Sequence, residues 1–215
     1  AVEHDTMDTT FRSMYLGLSA FLDANTERRE LLLGQRSPRF DSSFDEAIAQ
    51  AGDDFERVAL KAQAARDYFL LVGPPGTGKT SRALRRMVEH FYATSSMQIL
   101  LLAYTNRAVD EICQSLSSIT SGIDYIRVGS ELSCDVRFRG HLLENILAEC
   151  NSRREVNTRM TDCRVYVGTV ASIAAKAELF KLKRFDVAIV DEATQILEPQ
   201  LLGILCAKFA DERNA

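Results

Sequence analysis

The chain has 215 residues, of which 46% are hydrophobic, so it can bury one good core with at most a small satellite. Its net charge of -4 gives no indication of nucleic-acid binding, although a neutral domain can still hold a strand in a locally basic groove. The acidic excess lies in residues 1–66, and residues 67–215 are balanced. No leader opens the chain and no apolar run approaches the ~20 residues of a membrane span, so we expect a soluble, cytoplasmic monomer that does not bind membranes.

The cysteines and the first residues give two further expectations. Five cysteines are scattered without a Cys-x-x-Cys pair, and too few histidines accompany them for a zinc site. We interpret them as ordinary thiols in a reducing compartment. The chain opens on AVEHDTM, without an initiating Met, and we expect it to be an excised piece of a longer protein.

Helical spacing dominates the first part of the chain. Residues 8–33 predict one or two helices, residues 35–43 predict a loop, and helical spacing resumes over 44–65. We therefore assign residues 1–66 to an N-terminal helical segment.

From residue 67 the pattern changes to short apolar strands that alternate with amphipathic helices. Strands that are apolar on both faces, each followed by a helix, indicate a parallel sheet covered on both sides. The sequence therefore predicts an α/β domain over 67–215, with a short helical insertion at about 129–163. The strands are expected in DYFLLVG (67–73), QILLLAYT (98–105), DYIRVG (124–129), RVYVGTV (164–170) and FDVAIVDE (185–192).

GPPGTGKT at 73–80 matches the phosphate-loop (Walker A) pattern in full, between a predicted strand and a predicted helix. Its glycines permit backbone dihedrals closed to other residues, so successive N–H groups can turn toward phosphates at the positive end of the helix. Lys79 should reach the β- and γ-phosphates, and the Thr80 hydroxyl should bind Mg²⁺. A glycine-rich turn is the structural alternative, and the strand, loop and helix in register argue against it. The predicted nucleotide-binding set is Gly73, Pro74, Pro75, Gly76, Thr77, Gly78, Lys79 and Thr80.

The segment VAIVDE supplies the second half of such a site. Asp191 at the strand tip can hold the Mg²⁺ shell, and Glu192 can accept a proton from the attacking water. A surface Asp-Glu pair is usually only solvated, but one that follows an apolar strand downstream of a phosphate loop indicates catalysis. No guanine-reading Asn-Lys-x-Asp motif occurs, which favours ATP, with Mg²⁺, as the cofactor.

Four segments resemble, in order and spacing, motifs I, Ia, Ic and II of superfamily 1 helicases. They are GPPGTGKT, AYTNRAVDEI (103–112), VGTVASI (167–173) and DEATQ (191–195). The resemblance is closest to the 5′-to-3′ group that contains the nonsense-mediated-decay RNA helicase and the Okazaki-fragment nuclease-helicase. It implies the first RecA-like motor domain of an ATP-dependent helicase, whose hydrolysis of ATP drives movement along a single strand.

The resemblance also implies roles for residues at the strand ends. Lys79, Glu192 and Gln195 would be catalytic, with Gln195 lying between the γ-phosphate and the nucleic-acid side and sensing bound nucleotide. The set that would contact the backbone of single-stranded DNA or RNA is Thr105, Asn106, Thr169 and Ser172. Open α/β sheets place ligands at these strand ends, and hydroxyl and amide groups are suitable neutral donors to phosphates. Helix capping is the structural alternative for Thr105, Asn106 and Ser172, and both roles can coexist.

The chain departs from the family pattern at the residue that recognises adenine and in the arginine-rich segment of the predicted insertion. Upstream of motif I these helicases usually carry a glutamine that reads adenine, where this chain has Glu56; the nearest glutamines are Gln50 and Gln63. The predicted insertion is rich in arginine, which could grip a nucleic-acid backbone or simply form a solvated helical face. These arginines are Arg137, Arg139, Arg153, Arg154 and Arg159.

The third departure is that nothing after motif II resembles the next motif or a second RecA-like domain. In this family ATP lies between the two domains, and arginines of the second one neutralise charge on the γ-phosphate. An arginine of this kind is worth about 10³–10⁵ in rate in related enzymes. We therefore expect this chain alone to bind nucleotide weakly and to hydrolyse it hardly at all.

Two rival functions use the same phosphate loop. A free-standing ATPase switch would receive the missing arginine from a partner or a neighbouring subunit, although DEATQ and AYTNRAVD fit helicases better. A small-molecule kinase would have to exclude water, which the water-activating position of Glu192 argues against.

Overall fold

Short parallel strands form the sheet around which the helices pack. The computed structural model describes residues 9–74, 76–176 and 178–207. Within these residues the strands are β1 (Ile99–Ala103), β2 (Tyr125–Val128), β3 (Val165–Thr169) and β4 (Val187–Val190).

The strand order across the sheet is β2-β3-β1-β4, and all pairs are parallel. The register sets Ala103 of β1 beside Thr169 of β3, and Leu102 of β1 beside Val190 of β4. Three strands therefore end side by side at one edge of the sheet, which is where the residues of the predicted site follow them.

Helices precede the sheet and cover both of its faces. The first four are α1 (Thr9–Leu22), α2 (Thr26–Leu32), α3 (Asp45–Ala49) and α4 (Asp54–Ala64). A π-helical stretch, Lys79–Leu84, leads from the phosphate loop into α5 (Arg85–Thr94). The remaining helices are α6 (Asn106–Ser117), α7 (Leu143–Ala148), α8 (Arg153–Asp162), α9 (Val170–Ala174), α10 (Leu179–Leu182) and α11 (Glu198–Leu205).

Alternate residues of the strands enter two hydrophobic layers. Leu101 and Val167 pack with residues of α4, α5 and α6, whereas Leu100 and Tyr166 pack with residues of α7, α9, α10 and α11. All five residues of β1 are buried, as expected for a strand with a neighbour on each side and helices on each face. The predicted α/β fold with a parallel sheet is confirmed.

The strand predicted over residues 67–73 is wrong. Residues 68–74 belong to no strand, and Leu70 and Val72 are 74% and 93% exposed. An apolar segment becomes a strand only when another backbone accepts its hydrogen bonds. The neighbouring edge strand β4 pairs with β1, and among the described residues nothing pairs with its outer side.

The helical spacing predicted over 44–65 corresponds to two helices, α3 and α4. A capping box restarts the chain at α4: the Asp53 carboxylate accepts from the Glu56 N–H (2.8 Å), and the Glu56 carboxylate accepts from the Gly52 N–H (2.8 Å). The buried Ala59 of α4 lies in the same hydrophobic layer as α5 and α6, so this part of the N-terminal segment shares the core of the α/β domain.

Helix α1 packs closely against α11 at a pair of glycines. A Cβ on Gly17 would lie 2.1 Å from the carbonyl oxygen of Pro199, whereas one on Gly203 would meet nothing closer than 3.4 Å. No helix in the described ranges has the length and apolar character needed to cross a bilayer.

We expect Gly17→Ala to destabilise the chain by about 1–3 kcal/mol, because the added methyl group must push α1 away from α11. Gly203→Ala is the matched control: it adds the same methyl group to the opposite helix at an ordinary contact distance, where the higher helix propensity of alanine offsets the crowding. Urea unfolding of both variants measures the difference, and equal stabilities would contradict the close packing.

Asp67 ties the chain entering the phosphate loop to the N-terminal helices. Its carboxylate accepts hydrogen bonds from the Arg36 guanidinium (2.7 and 3.0 Å) and from the backbone and side chain of Arg39 (2.8–3.1 Å), and its side chain is only 6% exposed. The side-chain hydrogen bond from Arg36, followed by that from Arg39, holds the pKa of Asp67 far below its usual value.

We expect Asp67→Asn to lower the free energy of unfolding by about 2 kcal/mol at neutral pH, because charge-assisted hydrogen bonds are lost. The folded-state pKa is depressed, so this stabilisation is complete above the ordinary aspartate pKa of about 3.9 and declines as pH falls below it. Urea unfolding at pH 7 and pH 3 should therefore show the variant approaching wild type at the lower pH. Asp54→Asn, which breaks an exposed pair with Arg57, should change little at either pH.

Candidate nucleotide-binding site

The phosphate loop has the backbone conformation that its glycines predict. Gly76 and Gly78 have positive φ angles of 79° and 83°, a region that favours glycine. The Lys79 ammonium donates to the carbonyl oxygens of Gly73 (2.6 Å) and Pro74 (3.0 Å), and the Thr77 hydroxyl also donates to Pro74 (2.8 Å). The lysine thus folds back over the loop that it would serve. Pro75 lies outside the described residues.

The loop is joined directly to the tip of β4. The Thr80 hydroxyl donates to the Asp191 carboxylate over 2.7 Å, although 111 residues separate the two in sequence. Asp191 is almost fully buried, and its own N–H donates to the carbonyl oxygen of Leu102 on β1 (2.8 Å). The two predicted metal ligands are therefore adjacent and are held by the sheet.

Glu192 has a strained backbone. Its φ of 49° and ψ of 45° lie in the left-handed region, and it is the one non-glycine residue with positive φ in the described ranges. Such strain costs roughly 1–3 kcal/mol and concentrates at functional sites. The Gln195 side-chain amide donates a hydrogen bond to the Glu192 carboxylate, so two of the three residues predicted to be catalytic are in direct contact.

These residues fit Mg²⁺ and a nucleoside triphosphate. A hydroxyl and a carboxylate oxygen within 2.7 Å of each other are hard donors of the kind Mg²⁺ takes, with the remaining positions left to phosphates and water. Beside them opens a cleft of about 730 Å³, lined on one wall by Gly76, Gly78, Lys79 and Thr80 and closed at the tip of β4 by Glu192.

The family assignment follows from comparison with known proteins. A family model described as an AAA domain (AAA_11) matches residues 51–160, which include the phosphate loop, α6 and β2. The DNA replication ATP-dependent helicase/nuclease JHS1 of Arabidopsis thaliana is 31% identical over 94% of this chain, and the DNA replication ATP-dependent helicase/nuclease DNA2 of Bos taurus is 30% identical over 85%. The chain belongs to this family of superfamily 1 helicases. It spans 15% and 18% of the length of these two relatives.

The opposite, far wall of the cleft in this helicase domain was not identified from the sequence. It consists of one face of α6 and the turn at residues 135–137, and its polar residues are Arg107, Asp110, Glu111, Gln114, Ser115, Asp135 and Arg137. The α6 residues of this set recur at intervals of three or four positions, which places their side chains on one face of the helix. This spacing could have identified them from the sequence.

A buried ion pair fixes this far wall. Arg127 on β2 is 1% exposed and pairs with Asp110 on α6, whose carboxylate also accepts from the Asp135 N–H (3.3 Å). Arg137 then donates to Asp135 and to Gln114 (2.7 Å), and the side-chain hydrogen bond from Arg137 lowers the pKa of Asp135 to about 2. The turn is thereby held against α6 by charge-assisted hydrogen bonds.

The predicted nucleic-acid contacts lie together at the carboxyl edge of β1 and β3. Thr105 caps α6, its hydroxyl accepting from the Ala108 N–H (3.2 Å), and Thr169 caps α9, its hydroxyl accepting from the Ser172 N–H (3.0 Å). Asn106 is the first residue of α6. The capping alternative is therefore correct for Thr105 and wrong for Asn106 and Ser172, which lie inside helices, and Thr169 is the cap that was missed.

The residues weighed for reading adenine have other partners. Glu56 closes the capping box of α4, and the Gln50 amide donates to Glu46 on α3 (3.1 Å). Gln63 contacts His90, which lies in α5. Neither of these two glutamines is among the described residues that line the cleft.

The arginines of the 129–163 segment are in two situations. Arg137, Arg139 and Arg159 pair with Asp135, Glu131 and Asp124, respectively. Arg153 and Arg154 are exposed at the start of α8.

We expect Glu192→Gly to unfold at higher urea than Glu192→Ala, with a difference of about 1 kcal/mol in the free energy of unfolding. The reason is that glycine relieves the left-handed strain, whereas alanine retains it while losing the same carboxylate. At ordinary helical or extended positions glycine is the less stable of the two. A more stable alanine variant would show that the backbone at residue 192 is not strained in solution.

Proposed function

We propose that this chain is the first, ATP-binding motor domain of a superfamily 1 helicase that couples ATP hydrolysis to movement along a single strand in a longer protein. The hydrogen bond between Thr80 and Asp191 carries the proposal, because it brings the phosphate loop to the acidic strand tip at the edge where Thr105 and Thr169 also lie. The relatives are named as DNA replication enzymes, which favours single-stranded DNA over RNA as the track.

Phosphate binding would use groups that already converge at the loop. Mg·ATP would supply the γ-phosphoryl group and the metal charge that draws electrons from it. The Lys79 ammonium would exchange the carbonyl oxygens of Gly73 and Pro74 for phosphate oxygens. Thr80 and Asp191 would hold the metal directly or through water.

Hydrolysis and coupling would depend on Glu192 and Gln195. The Glu192 carboxylate, which lines the cleft, would accept a proton from the attacking water. The Gln195 amide holds that carboxylate and would change partner when a γ-phosphate is present. Because β4 ends beside β1 and β1 ends beside β3, a shift at Glu192 and Gln195 would reach first the Thr105 loop and then the Thr169 loop through successive strand ends.

We expect ATP turnover by this chain to stay near background with or without single-stranded DNA, since the second motor domain would supply the arginines. Nucleotide binding should nevertheless be measurable by calorimetry. Lys79→Ala should weaken it about 10- to 100-fold, because a charge-assisted contact is lost. Glu192→Gln should retain binding.

Turnover is measured with single-stranded DNA, single-stranded RNA and no nucleic acid, beside Lys79→Ala. Brisk turnover that does not depend on nucleic acid and disappears in Lys79→Ala would instead identify a free-standing ATPase. Gel filtration with and without ATP then tests whether such a switch changes its assembly state.

A further inference from the structure

A stacked pair of side chains, Arg82 and Phe55, lies directly against the phosphate loop. The guanidinium carbon of Arg82 is 4.2 Å from the centroid of the Phe55 ring. The aliphatic carbons of the same arginine lie 3.1–3.4 Å from the position that a Cβ on Gly78 would occupy. Phe55 belongs to the first turn of α4, and Arg82 to the π-helical stretch that comes after the loop.

Arg82 differs from the two arginines that come next in the chain. Arg85 and Arg86 approach the carboxylate of Glu89 (3.7 and 3.8 Å), whereas Arg82 forms no ion pair within the described residues and is held by the aromatic ring instead. Its side chain is exposed. A planar guanidinium that rests on a ring and has one face open to solvent can accept another planar group by stacking.

The two sides of the phosphate loop offer different chemistry. On the α6 side, where the Ser115 hydroxyl contacts the carbonyl oxygen of Thr80 (3.4 Å), the cleft is lined by charged residues of both signs. On the α4 side lies the Arg82–Phe55 stack. Charged walls suit phosphates, metal and water, and an aromatic-backed plane suits a nucleobase.

We propose that Arg82, backed by Phe55, is the stacking surface for the base of the bound nucleotide, and that it provides affinity for purine nucleoside triphosphates without distinguishing adenine from guanine. This inference rests on the proposed nucleotide-binding function. Stacking uses the π-face that all bases share, and the in-plane N–H groups of a stacked guanidinium do not point at the base edge. Gln50 and Gln63, the two nearest glutamines, form side-chain hydrogen bonds with Glu46 and His90 instead.

The first test compares ligands with and without a base. Calorimetry with the whole chain in Mg²⁺ measures the affinities for ATP, GTP, CTP and inorganic tripolyphosphate. Stacking is worth roughly tenfold in affinity per base, so ATP and GTP should bind alike and about tenfold more tightly than tripolyphosphate, with CTP between them. A large preference for ATP over GTP would show that the site recognises the edge of the base, which would contradict the proposal.

The second test removes the stack while keeping the charge. Arg82→Lys and Phe55→Leu should each remove most of the difference in affinity between ATP and tripolyphosphate. Both variants should leave the affinity for tripolyphosphate unchanged. Arg86→Lys, one turn further on, is the matched control and should alter no ligand. If the ATP-to-tripolyphosphate ratio is unchanged in both variants, or if all ligands weaken equally, the stacking role is wrong.

Two further measurements separate this inference from the proposed function. Loss of tripolyphosphate binding in Lys79→Ala supports the phosphate site whatever happens at Arg82, and its retention would overturn both. The chain has no tryptophan, so Phe55→Trp introduces a single fluorescent reporter. Its emission should change with ATP and GTP but not with tripolyphosphate, and equal responses to all three would contradict stacking.

Discussion

The hydrogen bond between Thr80 and Asp191 holds the candidate nucleotide-binding site together. In the usual arrangement of such a loop, a strand of the sheet leads into it, but residues 68–74 are not part of the sheet. The loop is positioned instead by residues on its C-terminal side: Thr80 contacts the tip of β4, and the buried Leu84 and Met87 pack in the layer that also contains α6. Its position relative to the sheet therefore depends on these downstream contacts rather than on strand pairing of the preceding segment.

The contact with Asp191 at the tip of β4 also explains why the site lies at the edge of the sheet. β4 is an edge strand of only four residues, and its side chains are less buried than those of β1, β2 and β3. Short edge strands limit unwanted pairing. The acidic tip of β4 is nevertheless fixed, because the Asp191 N–H continues the ladder to Leu102. The residues of the candidate site thus line an open cleft, while the backbone at the tip of β4 is anchored to the sheet.

Sequence reasoning succeeded where the determining interactions are local or repeated. Apolar runs identified β1 to β4, and the glycine spacing of the loop predicted its dihedrals. It failed over residues 67–73, since their pattern matches that of the true strands and only a distant partner decides pairing. It also missed the contacts made by packing of separate elements: the Arg82–Phe55 stack needs α4 beside the loop, and the pair between Arg127 and Asp110 needs β2 beneath α6.

The contact between Gln195 and Glu192 gives a physical reason for a glutamine after the acidic pair. An amide can hold a carboxylate by one hydrogen bond without adding charge, whereas lysine or arginine would bind the same carboxylate as an ion pair and compete with the water that it must reach. The amide also has an acceptor oxygen, so it can exchange partners at little cost. Because the strained backbone of Glu192 fixes where its carboxylate starts, a small movement of Gln195 changes the groups that this carboxylate can contact. A neutral side chain that can both donate and accept is therefore suited to the nucleotide-sensing role proposed for Gln195.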